Sequence, residues 1–208
     1  EATGKPRFYA VQGAEKSYAS FALTARNPGG HSSQPRPDNA IYDLADALKA
    51  LQGYSFPVMW NDWTIGSFKA SAPVTPGELG QAMAKFAANP GDAGAAAVLA
   101  KNPAMIGRTR TTCVATMLTG GHADNALPQS ATATVNCRIF PGTSVAEVHD
   151  ALQQVVGDRV KVKVLGEPHS SPPSPMRSDV LEAVTKAVRA GHPGVPIVPD
   201  MAPYATDG

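Results

Sequence analysis

Apolar and polar positions alternate along four stretches of the chain, and helical spacing fills two of the gaps between them. From Tyr18 to Ala25, the residues Ala19, Phe21, Leu23 and Ala25 fall on one side, while Tyr18, Ser20 and Thr24 fall on the other. That period of two predicts a strand. Thr111 to Leu118 predicts a second. The clearest is the third, where Ala131, Ala133, Val135, Cys137 and Ile139 alternate with Thr132, Thr134, Asn136 and Arg138. Val160, Val162 and Val164 alternate with Arg159, Lys161 and Lys163 as a fourth. After the first strand, Ile41, Leu44, Ala45, Leu48 and Leu51 repeat at helical spacing, behind an expected Asp38 cap and closed by Gly53. After the third, Ser144 with Glu147 forms a capping-box pattern ahead of Val145, Val148, Leu152 and Val155, stopped at Gly157. The order strand, helix, strand, strand, helix, strand is the split βαβ, ferredoxin-like plan of the α+β class. It predicts a four-stranded antiparallel sheet with both helices on one face. The polar side of the third strand, Arg138 included, then faces away from the helices.

Two regions lie outside that plan. Residues 53–110 hold an aromatic patch (Tyr54, Phe56, Trp60, Trp63, Phe68). A Thr75 to Glu78 capping box then opens a helix to about Ala88, and a second, Ala-rich helix runs from Ala93 to Lys101. They read as a helical insertion. The tail from Glu167 is a proline-rich linker, then a helix from Asp179 to Ala190 capped by Ser178, then a short apolar stretch at Val195 to Val198.

Composition narrows the classes. With 43% apolar residues in 208, the chain can bury a core without staples. Eighteen basic and 17 acidic side chains leave a net charge of +1, which gives no electrostatic case for nucleic acid or an anionic membrane. No apolar run reaches the roughly 20 residues of a bilayer span. The compartment stays open. Two cysteines are too few for a disulfide scaffold. Cys113 and Cys137 stand equidistant from Asn125 and face each other on the apolar side if the hairpin centres there. Buried free thiols are the expected state, ahead of a disulfide.

The segments NPGGHSSQPRPDNAIYDLADALKAL, RTRTTCVATMLTGGHADNALPQSATATVNCRIFPG and the terminal ATDG resemble one family. It is the carboxypeptidase, aminoacylase and acetylornithine deacetylase family of di-zinc metallopeptidases, in its carboxypeptidase S-like branch. The resemblance implies a lid, or dimerisation, domain over residues 14–166, with 1–13 as the hinge from a catalytic half. It makes 167–208 a linker and the start of a second catalytic segment. It also implies site residues. His31 matches a lid histidine that helps hold a substrate carbonyl as it becomes an oxyanion, often in the partner subunit's site, and an imidazole N–H suits that task. Asn125 matches an asparagine facing substrate. Arg138 matches the arginine that clamps a free carboxylate, a bidentate task that Lys does less well. Thr206, with Asp207 and Gly208, matches a loop lining the substrate pocket, although Tyr204 stands where the family usually has Gly.

The implied parent enzyme hydrolyses amide bonds of N-acyl amino acids or short peptides with two zinc ions. Zinc needs about four ligands, and this chain has five scattered histidines and no Glu-Glu pair. The expectation is that it binds no metal and turns nothing over alone. His122-Ala123-Asp124 resembles the family's metal-ligating triplet but lies in the wrong half. Two other readings stand beside this one, a subunit-pairing module and a small amino-acid-sensing domain on the same βαββαβ plan. The expected partners are a small peptide or N-acyl amino acid substrate and a second copy of the chain.

Overall fold

The computed structural model describes residues 8–206. The main sheet has the order β4-β6-β2-β7 and every pairing is antiparallel, where β2 is Ser17–Arg26, β4 Thr112–Gly120, β6 Ser130–Ile139 and β7 Val160–Leu165. Helices α1 (Ala40–Gly53) and α6 (Val145–Val156) lie on one face. Phe21, Leu23, Val135, Ile139, Leu44 and Leu152 close the core between them, each 0 or 1% exposed. The expected plan is therefore present, with its apolar parity as read. The opposite face carries Tyr18, Ser20 and Thr24 against Arg138, Asn136 and Thr132. Its hydroxyls and amides pair across the strands, Thr24 with Thr132 at 3.0 Å and Asn136 donating to Ser20 at 3.1 Å. Two short strands, β3 (Gly30–His31) and β5 (Ala126–Leu127), pair beyond one end of this sheet.

Local expectations divide on which side chain is free to cap. Ser144 and Glu147 form the reciprocal box that starts α6, and Gly157 ends it at φ 73°. The box expected at Thr75 does not form, because the Thr75 hydroxyl donates to the Ser71 carbonyl at 2.8 Å. Asn39, not Asp38, caps α1. Asp38 instead accepts from Asn27 and Arg36, and the Arg36 hydrogen bond holds its carboxyl down to about 2.

In the region expected as an insertion the regular elements after α1 are all helical: α2 (Asp62–Ser71), a short 3₁₀ turn, α3 (Gly77–Ala88), α4 (Ala93–Ala100) and α5 (Pro103–Ile106). Phe68, Met83, Phe86 and Leu99 give it a core of its own. Helix α2 was not expected from the sequence. It is held by packing on both sides, since Trp63 joins Ala14, Phe140 and Met201 in a third cluster while Phe68 faces α3 and α4.

The first and last described strands meet. β1 (Tyr9–Glu15) pairs in parallel with β8 (Ile197–Ala202), with a register shift between Gln12 and Ala14. Residues 1–7 of the expected hinge lie outside the described residues, and its remainder is this strand. A Cβ on Gly13 would lie 1.9 Å from the Trp63 ring, so only glycine lets α2 close onto β1. The tail helix α7 (Ser178–Gly191) has Arg177, not Ser178, at its cap position, and buries no residue.

Candidate functional site

The open face of the main sheet has two chemically different ends. Beyond Ser130 of β6, Gly29 at φ 78° and Gly30 at φ 154° turn the chain into β3. His31 there faces Ala126, and the Ser32 N–H donates to the Asn125 carbonyl at 2.9 Å. His31 and Asn125 are thus neighbours, both exposed. The Ser33 N–H donates to His31 Nδ1 at 3.2 Å. In the neutral ring that leaves the proton on Nε2, where it can donate outward.

At the other end Arg138 lies over the Tyr18 ring, 5.5 Å from its centroid. Tyr18 and Thr112 are its cross-strand neighbours. Thr206 reaches the same end, where its N–H and hydroxyl donate to Glu15. Asp207 and Gly208 lie outside the described residues. Glu15, Lys16, Tyr18, Ser20, His169 and Ala205 line a groove of about 410 Å³ here. Arg138 makes no ion pair among the described residues. An unpaired guanidinium on an aromatic ring is well placed to take a carboxylate.

The fold therefore brings His31 to Asn125 at one end, and Thr206 to Glu15 at the end that carries Arg138. Eight residues of strand separate Ser130 from Arg138, which at ~3.3 Å per residue is on the order of 25 Å.

Two residues at the Arg138 end escaped sequence reasoning. Lys16 is fully buried and its Nζ donates to Thr112 Oγ1 at 3.1 Å. Burial first, then the Arg138 charge, lower its ammonium to about 7. Glu15 orients Thr206. In sequence, Glu15-Lys16 reads as a solvated pair. Nothing local announces that Gly107 and Pro203 will roof the lysine.

The cysteines are joined. Cys113 and Cys137 are register partners with Cα atoms 4.0 Å apart and form a disulfide between β4 and β6. The free-thiol expectation is corrected, and the facing geometry that the hairpin implied is the reason. The bond lies one residue from both Thr112 and Arg138, so it ties the edge strand down beside the arginine. His122 and Asp124 are exposed in the turn. Among the described residues no three His, Cys, Asp or Glu side chains come together as metal ligands, so these side chains do not fit a metal centre. No described helix is long and apolar enough to cross a membrane.

Known proteins resemble the chain in sequence or in fold. The chain is 28% identical over 189 residues to the N-fatty-acyl-amino acid synthase/hydrolase PM20D1 of Mus musculus, covering 88% of this chain and 37% of that protein. It is 27% identical over 197 residues to the probable carboxypeptidase S-like 2 of Dictyostelium discoideum, covering 93% and 37%. It thus spans well under half the length of these relatives. An M20 family metallo-carboxypeptidase from Sulfolobus solfataricus superposes with a TM-score of 0.59 at 14% identity, over 99% of this chain and 56% of that one. A tripeptidase from Staphylococcus aureus superposes with a TM-score of 0.55 at 10% identity, over 96% and 42%. Both show the fold. Residues 13–164 match the family described as the peptidase dimerisation domain, and the chain belongs to that family.

Proposed function

We propose that this chain is the substrate-gripping and subunit-pairing part of a larger amide hydrolase acting on N-acyl amino acids or short peptides. In this reading residues 14–166 are the lid, the 53–110 helices are its insertion, and the β1–β8 pair with α7 belongs to the catalytic body. The relatives' names point to N-acyl amino acids and to peptides. Two zinc ions held by polypeptide outside this chain would supply activated water. Arg138 holds the substrate carboxylate, with Thr206, bound to Glu15, at the same end of the sheet. His31 Nε2–H and the Asn125 amide meet the scissile carbonyl and its developing charge.

One observation carries the reading: the two pairs stand at opposite ends of one sheet, too far apart to share a small substrate. A second copy resolves this. β4 is an edge strand with Val114, Met117 and Leu118 each at least 60% exposed, and Ile41 of α1, beside Leu118, extends the patch. An unpaired apolar edge of this kind invites a second strand. Two-fold, antiparallel pairing of β4 with its copy sets the Gly120 end of one chain against the Thr112 end of the other. His31 and Asn125 of each subunit then approach Arg138 of its partner. The pairing module weighed from sequence becomes part of the same mechanism.

The test is hydrolysis by the parent protein of an N-acyl amino acid and of its amide-capped counterpart. Arg138→Met should lose roughly tenfold to a hundredfold in kcat/KM on the free acid, the worth of a hydrogen bond to a charged group. It should leave the capped substrate unchanged. An equal loss on both substrates refutes the carboxylate role.

A further inference from the structure

Lys16 is the only charged side chain fully enclosed among the described residues, and the proposed function gives it no task. Its Nζ has one acceptor, Thr112 Oγ1. Among the described residues no carboxylate pairs with it: Glu15, next to it in sequence, accepts from Gln12 and Thr206. Gly107 and Pro203 roof it, for a Cβ on Gly107 would lie 3.8 Å from Nζ and 2.9 Å from Pro203 Cβ. Among the described residues, the charges around it are positive or already paired. Arg138 acts on it from β6. Arg110, two residues before Thr112, has its Nε buried without a partner. Arg108 is paired with Asp200 of β8. His169 lines the same groove. A buried cation normally has a counter-charge, because its desolvation is costly otherwise. Here it is missing from the described residues, at the end of the sheet that presents Arg138.

We propose that Lys16 is a positioning residue set behind Arg138, which strengthens the hold on the substrate carboxylate, and that this carboxylate supplies the negative charge the buried amine lacks. The inference rests on the reading of Arg138 as the carboxylate clamp. Lys16 does not touch substrate. It adds positive potential behind the guanidinium and keeps Thr112, the cross-strand neighbour of Arg138, in place.

Coupling follows from linkage. A carboxylate arriving nearby favours the charged amine, so binding takes up a proton near neutrality. Affinity is then full below the free value of Lys16 and falls as pH rises through it. The free fold responds with the opposite sign. Lys16 is depressed from 10.5 to about 7, so between those values the unfolded chain binds more protons and stability rises with pH. Below that window the enclosed charge costs stability, and above it the cost is gone.

The experiment is an NMR titration of the Lys16 amine in the 208-residue chain, assigned with Lys16→Arg. It is run free, with N-acetyl-L-leucine, and with N-acetyl-L-leucinamide. Lys16 should titrate near neutrality, rise by about one unit with the acid, and ignore the amide. Arg138→Met should abolish the rise. Lys16→Met should weaken binding of the acid about tenfold near pH 6 and leave it unchanged near pH 9. It should also flatten the rise of stability between neutrality and pH 10. A Lys16 midpoint near its ordinary value overturns the inference. So does an acid that moves the Arg138 signals without moving the Lys16 midpoint, though the clamp then stands. An acid that moves neither overturns both readings.

Discussion

At the Ser130 end of β6, His31 and Asn125 are exposed, carried by two glycines and a two-residue strand pairing, and held by a few hydrogen bonds. At the Arg138 end the chain is closed over. A disulfide stands beside a half-buried arginine, and the Gly107 and Pro203 turns lie against a buried lysine. In the proposed reading the first end projects into a second subunit, and the second concentrates positive charge. A sheet can do both because its strands hold the two ends rigidly apart while its inner face supplies the core.

The largest expected effect falls on the closed end. Replacing Cys113 and Cys137 with alanine opens a loop with a sequence separation of 24, and should cost roughly 3 kcal/mol of stability by loop-closure entropy. Reductant should reproduce the loss in the unaltered chain and do nothing to the variant, as read by chemical denaturation. If reductant leaves the midpoint unmoved, the disulfide does not hold this end. A smaller effect is expected at the open end. Gly29→Ala forces a positive φ on a side chain and brings a Cβ within 2.8 Å of Gln129. It should cost about 1 kcal/mol, and the His31 amide resonances should shift while those of Arg138 stay. Shifts spread evenly over β6 would contradict the independence of the two ends.

How far the sequence reveals this differs by element. The sheet is legible because each strand buries one full face, so Phe21, Val135 and Val162 declare the parity. The Cys113–Cys137 facing follows from the same hairpin register, but whether two opposed thiols are joined is chemistry that no periodicity encodes. The helix α2 is obscured by its own composition, since Thr64, Gly66 and Ser67 are poor helix formers held by tertiary contacts. β1 and β8 are short, and their pairing partners lie far apart along the chain. Lys16 is hidden for the same reason, because residues about 90 and 187 positions away enclose it. His31 and Arg138 are legible as chemistry but not as a distance. Only the folded sheet reveals that they cannot meet in one chain.

Mixed dimers of the parent protein measure that claim most directly. His31→Ala alters an exposed side chain, so folding should be unchanged within about 0.5 kcal/mol, and Arg138→Met replaces a half-buried one. Each homodimer should be nearly inactive. Dissociating and reassociating an equal mixture should restore about a quarter of the unaltered activity, since half the dimers are mixed and each has one intact site. Activity that stays at the homodimer level after demonstrated subunit exchange would place His31 and Arg138 of one and the same chain at each site, and the two-ended account would be wrong.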